Sequence, residues 1–200
     1  MNTPINLKEL EQKAFRSFFQ DGIWDIFFGL IMLAMYISSL FNESGNSGLK
    51  TLSLILPEIF AVMFLIFGKK YITAPRLGNV EFGKARKRRL VYIFGINLIT
   101  LILALGLFFS FQWLPMTESQ TELLSPIGLG VWIAFMTSLM AFFLDFDRLY
   151  IYGLIYGATF TAVLLLDWPI LFLVASLLIL LPGLAIFTRF LMTNKPVEEG

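Results

Sequence analysis

The sequence predicts an all-α membrane protein: a six-transmembrane helical bundle with an N-terminal amphipathic helix and a short cytoplasmic β-hairpin-like loop. Three observations lead there. Hydrophobic residues make up 58% of the 200 residues and the mean hydropathy is +0.79, which leaves no room for a separate soluble domain. The apolar residues gather into stretches of about 18 to 24 residues, enough helix at about 1.5 Å rise per residue to cross a hydrocarbon core of about 30 Å. Of the fifteen Lys and Arg residues, all but Lys50 fall on one side of the membrane that these stretches define.

That last asymmetry sets the orientation, because basic residues in short loops are retained on the cytoplasmic side. Lys8, Lys13 and Arg16 precede the first span. Lys69, Lys70, Arg76, Lys84, Arg86, Lys87, Arg88 and Arg89 follow the second, Arg148 follows the fourth, and Arg189 and Lys195 follow the sixth. Both termini are expected in the cytoplasm. The net charge of +1 carries little information, since Glu43, Glu118, Glu122 and Asp167 lie in the outer loops.

Residues 1–21 read as a cytoplasmic amphipathic helix, with Leu7, Leu10, Ala14, Phe15, Phe18 and Phe19 on one face. Asn6 followed by Glu9 supplies a capping box. The helix either lies in the membrane plane or packs on the cytoplasmic ends of the spans. Its mixed charge and the full-length span behind it differ from a cleavable leader, so the first span is expected to stay in the mature protein. Gly22 offers the bend into that span.

The transmembrane domain, residues 22–190, has expected spans Ile23–Phe41, Thr51–Gly68, Leu90–Trp113, Ile127–Leu144, Leu149–Leu166 and Pro169–Phe187, followed by a cytoplasmic tail over 191–200. The outer segment Asn42–Gly48 has turn composition. The outer loop up to Pro126 is the one outer loop long enough to hold structure, with a short interfacial turn expected over Thr121–Leu124. In the cytoplasmic loop, residues 69–89, Tyr71, Ile72 and Thr73 suit an extended strand and Pro75 disfavours helix at Ala74. Gly78 and Asn79 suit a tight turn, and Val80 and Phe82 alternate around Glu81. A small hairpin is the expectation, with the basic run Lys84–Arg89 opening the helix of the third span. Phe28-Gly29-Leu30, Phe94-Gly95-Ile96 and Tyr152-Gly153-Leu154 form a faint repeat, for which membrane composition is a sufficient explanation.

Candidate chemistry is sparse. There is no cysteine for a disulfide, thiolate nucleophile or thiolate metal site, and no histidine. Glu58 is the one acid deep in an apolar stretch, where a carboxylate costs roughly 2.5 to 3.5 kcal/mol on insertion scales and so calls for a role or a partner. It follows Pro57, which frees the carbonyl of Ser53 within a helix. Glu58, with the polar notch at Asn97, is therefore the candidate intramembrane ion or proton site. The structural reading of the same residues makes Pro57 the first residue of a shorter helix, with Glu58 in its first turn at the outer surface. Asn97 and Thr100 also suit hydrogen bonding between helices.

Gly153, Gly157 and Thr161 share one face of the fifth span and predict close intrachain packing. Pro182-Gly183 predicts a kink or hinge in the sixth. Asp21, Asp25, Asp145 and Asp147 cluster at the cytoplasmic boundary, where Arg76 or Arg86 could pair with them; their spacing fits no metal motif.

Membrane-enzyme signatures are missing. No histidine is present for a rhomboid-type dyad or zinc protease, and no paired-Glu motif of the prenyl-protein peptidase kind occurs. Asp21-Gly22 lacks the Ala-Arg and later acids of phosphatidyl transferases. No catalytic residue, metal or cofactor is expected.

At Tyr71–Phe82, YITAPRLGNVEF, together with FFQDGIWDIFFGL at the first span and the closing LPGLAIFTRFL, the chain resembles a family of small multi-pass bacterial integral membrane proteins without an assigned activity. The most distinctive element is Tyr71, Pro75, Arg76, Gly78 and Phe82, and the likeness runs over most of the chain. It implies the bacterial cytoplasmic membrane and no catalytic residues to carry over.

The expected function is that of a non-enzymatic accessory or sensory protein. Its basic cytoplasmic loop, through Arg76, Lys84, Arg86, Lys87, Arg88 and Arg89, would bind anionic lipid headgroups or a cytosolic or membrane protein partner, at roughly 1 kcal/mol per residue near an anionic surface. The same charges also set topology. The alternative is a small-solute or ion transporter or channel using Glu58. No nucleic-acid partner is expected, and the oligomeric state is left open.

Overall fold

The computed structural model describes residues 19–41, 47–77, 95, 99 and 118–194. All regular structure among them is helical: α1 Ile23–Leu40, α2 Ser47–Phe67, a π-helical turn Gly68–Thr73, α3 Ala74–Leu77, α4 Glu118–Leu144, α5 Arg148–Leu166 and α6 Ile170–Thr193. Among the described residues, five helices are long and apolar enough to cross a membrane. The amphipathic segment before Phe19, residues 78–89 and the expected third span apart from Gly95 and Ile99 lie outside the described residues.

The chain divides into two compact units, Met1–Glu81 with Trp168–Gly200, and Phe82–Asp167. In the first, α1 packs on both α2 and α6. Ile23, Ile26 and Met32 of α1 are buried, as are Ala61 of α2 and Phe172, Ala175 and Ile179 of α6. The opposite surfaces stay apolar. Ile59, Phe60, Met63, Ile66 and Phe67 on α2 are exposed, as lipid-facing positions of a membrane helix are.

Small residues decide how closely α1 and α6 approach. Gly22 sits at φ +83°, a left-handed turn open to glycine, and a Cβ there would lie 2.6 Å from the Gly183 carbonyl oxygen and from the Phe187 amide nitrogen. A Cβ on Gly29 would lie 2.5 Å from Leu180 Cγ, and the carbonyl of Gly29 accepts a 2.9 Å hydrogen bond from the Ser176 hydroxyl. Contacts made by close backbones and one buried hydroxyl are what hold helices together where burial against lipid gives no hydrophobic gain. Pro182-Gly183 does not interrupt α6, which runs through it; Gly183 instead clears room for Asp25, whose Cβ lies 2.8 Å from where a Cβ at 183 would stand.

The second unit contains the hairpin of α4 and α5. Asp145 at φ +52° and the buried Phe146 turn the chain, with the Phe146 amide donating to the Ala141 carbonyl at 3.1 Å. The expected face of Gly153, Gly157 and Thr161 packs inside the chain. A Cβ on Gly157 would come within 2.4 Å of the Gly130 carbonyl oxygen, and Thr161 Oγ1 donates to the Pro126 carbonyl at 3.1 Å.

Three expectations need correction. The helix of α2 begins at Ser47 and contains Pro57, so Pro57 is not a helix start and Glu58 is not in a first turn. A proline costs one hydrogen bond, but in an apolar span the helix is the one conformation that pairs the remaining backbone groups. Residues Tyr71–Thr73 are helical rather than extended, and Ala74 is in the right-handed helical region at φ −60°. The wide turn, in which the Ala74 amide donates to the Lys69 carbonyl five residues back, accommodates Pro75 without ending the helix. The first strand of the expected hairpin is therefore absent. Finally, α4 starts at Glu118, so Thr121–Leu124 belong to a long helix that passes through Pro126 instead of an interfacial turn.

Candidate functional site

Two residues before α1, the Asp21 side chain is fully buried and gathers three donors. Oδ1 accepts the Ile23 amide at 3.1 Å, which satisfies one of the orphan donors at the start of α1. Oδ2 accepts Lys69 Nζ at 2.7 Å and also the Thr73 hydroxyl. Both partners come from the π-helical turn. Its extra residue sets the end of α2 so that Lys69 and Thr73, one turn apart, both face the start of α1. Gly68 adds to the closeness, since a Cβ there would stand 3.0 Å from Ile23 Cδ1.

Asp25, in the first turn of α1, is likewise fully buried, beside Gly183 of α6. A carboxylate at a helix N-terminus is favoured by the helix dipole. Trp24 stands between these two acids in sequence and joins Phe19, Phe27 and Phe28 in an aromatic cluster, with ring centroids 5.7 to 6.0 Å from its own.

The twin lysines after the apolar part of α2 point to different surroundings. The Lys69 side chain is 11% exposed and bound to Asp21. Lys70 is exposed, with its ammonium 5.3 Å from the centre of the Tyr71 ring. Tyr71 is 60% exposed and stacks on Phe67 at 5.9 Å with 15° between the ring planes.

Comparison with known proteins returned no matching family model, curated protein or solved structure.

Among the residues expected to bind a ligand, Arg76 is described, and it folds back on its own helix: Nη1 donates to the Ile72 carbonyl at 2.9 Å. Among the described residues, Asp21 takes Lys69 as its ion-pair partner rather than the expected Arg76; Arg86 lies outside the described residues. The reason is helix continuation. Once the chain stays helical past Gly68, Lys69 is the first cation at the level of Asp21. Lys84, Arg86, Lys87, Arg88, Arg89 and Asn97 lie outside the described residues.

Glu58 is half-buried in the interior of α2, among the exposed Ile55, Leu56, Ile59 and Phe60. Asp145 and Asp147 line a surface depression with Phe142, Phe143 and Tyr150 at the α4–α5 turn, while the Arg148 guanidinium lies 5.3 Å from the centre of the Phe146 ring. Among the described residues, no group of three or more acids is gathered as a metal site would require.

Sequence reasoning put Asp21 at the boundary but missed Lys69 and Thr73 as its partners. The available signal was positional: Asp21 closes one polar segment and Lys69 opens the next, each immediately beside an apolar stretch.

Proposed function

We propose that the protein is a non-enzymatic accessory or sensory protein of the bacterial cytoplasmic membrane, with both termini inside and six spans, whose basic cytoplasmic segment engages anionic lipid headgroups. The observation that carries this reading is the joint between α2 and that segment. An apolar, outward-facing helix runs without a break into Lys69–Arg76, and the buried Asp21–Lys69–Thr73 cluster ties the joint to α1. A basic segment held this way stays at the depth where headgroup phosphates lie, and each Lys or Arg there contributes roughly 1 kcal/mol toward an anionic surface.

Neutralising Lys84, Arg86, Lys87, Arg88 and Arg89 together tests the reading. The quantity to measure is retention of anionic over zwitterionic lipid by the purified protein at low and high salt. A salt-sensitive loss in the variant is expected. Unchanged retention with normal insertion limits those charges to setting topology, and capture of a cytosolic protein in place of lipid moves the partner to that class.

A second reading rests on Glu58, which α2 carries within an apolar helix that passes through Pro57. If it serves cation or proton movement, Glu58→Gln abolishes flux in proteoliposomes while expression and folding persist. Normal flux in that variant removes this reading.

A further inference from the structure

We propose that Lys70 and Tyr71 form a binding site for the phosphate of an anionic glycerophospholipid, and that the Asp21–Lys69 ion pair is what leaves this second lysine, and not the first, to face the lipid. The site deepens the lipid reading above and rests on it.

The starting point is the ordering of exposed residues along the end of α2. Ile59, Phe60, Met63, Ile66 and Phe67 form an apolar exposed surface; Tyr71 continues it, stacked on Phe67; and the Lys70 ammonium lies over the Tyr71 ring. Hydrocarbon-facing side chains, then an aromatic residue with a polar tip, then a cation form the sequence of surfaces met on leaving a bilayer core. A protein partner would need no such gradation, whereas a phospholipid presents its acyl chain, glycerol and phosphate in that same order. The continuity of the apolar face with the cation therefore favours lipid.

Charge supports the same occupant. Neighbours on a helix face different ways, and Lys69 is turned inward, neutralised by a buried carboxylate at 2.7 Å. Lys70 has the electron-rich face of Tyr71 as its contact, which orients the ammonium, and among the described residues no carboxylate pairs with it. An anionic phosphate supplies the missing complement. The π-helical turn makes the division possible: it holds Lys69 and Thr73 toward Asp21 and leaves Lys70 and Tyr71 on the exposed side.

The test uses the full chain in nanodiscs of phosphatidylcholine doped with phosphatidylglycerol, reading the phosphatidylglycerol retained after extraction into mild detergent. Lys70→Gln is expected to lower the retained ratio about fivefold, the equivalent of ~1 kcal/mol for one basic residue at an anionic surface. Tyr71→Leu is expected to lower it about twofold, and Lys70→Arg to preserve it. Both altered residues are exposed, and circular dichroism with size-exclusion elution verifies that the variants fold.

The loop variant with Lys84, Arg86, Lys87, Arg88 and Arg89 neutralised separates this site from the wider reading. If that variant loses lipid while Lys70→Gln does not, the Lys70–Tyr71 site is overturned and the loop reading stands. Loss in Lys70→Gln with an unchanged loop variant leaves the site standing without the loop. A wild-type protein with no preference for phosphatidylglycerol overturns both.

Discussion

Asp21 and Lys69, separated by 48 positions in the chain, meet at 2.7 Å in a partly buried ion pair that joins the start of α1 to the end of α2. Two charges removed from water cost several kcal/mol each, and their attraction offsets that cost only while both partners and their hydrogen bonds are in place. Here the Thr73 hydroxyl and the Ile23 amide complete the set around the carboxylate. The consequence is asymmetric: losing one partner is far worse than losing both.

Asp21→Asn and Lys69→Met, each alone, are therefore expected to destabilise the protein by about 3–5 kcal/mol, because each removes one side of a charge pair withdrawn from water. The double variant should recover most of that loss. Thermal unfolding in detergent for all four proteins of the cycle gives the coupling. Additive losses would show that the two side chains do not depend on one another.

Gly128 and Gly130 lie two positions apart on α4 and should respond oppositely to alanine. At Gly128 a Cβ meets nothing within 4 Å, so Gly128→Ala is expected to be neutral or stabilising by about 0.5–1 kcal/mol through helix propensity. At Gly130 a Cβ would lie 1.9 Å from Thr161 Oγ1 and 2.5 Å from the Gly157 carbonyl oxygen. Gly130→Ala should push α4 away from α5 and lower the unfolding temperature. Equal responses would contradict the packing of the hairpin.

Gly22→Ala combines a backbone penalty with a clash. The left-handed φ of +83° costs a residue with a Cβ on the order of 1–3 kcal/mol, and the added atom meets backbone rather than a movable side-chain tip. Reduced yield and stability are expected, and the variant should be more impaired than Gly128→Ala in the same unfolding assay.

Topology has a clean test because the chain has no cysteine. Single cysteines at Lys50 and Glu122 are expected to react with an impermeant maleimide in intact cells. One at Arg76 is expected to react only after permeabilisation. Labelling at Arg76 from outside would overturn the orientation assigned from the basic residues.

The sequence by itself determined the class of molecule. Long apolar stretches require helices in a membrane, and that rule reaches across prolines: α2 passes Pro57, α4 passes Pro126 and α6 passes Pro182, since unpaired backbone in lipid costs more than one missing hydrogen bond. The close face of Gly153, Gly157 and Thr161 was legible for a related reason, because spacing along one helix is a local property. Local rules failed where a second element altered the balance. Tyr71–Thr73 have β-branched and aromatic side chains and precede a proline, which by themselves favour an extended strand. Tertiary structure decided otherwise, as helical continuation through the π-turn lets Lys69 and Thr73 reach the buried Asp21 carboxylate. The choice of Lys69 over Arg76, and the turning of Lys70 toward the outside, depend on the packing of α1 beside α2. No pattern within either segment encodes that pairing, because its energy arises only when the two helix ends exclude water together.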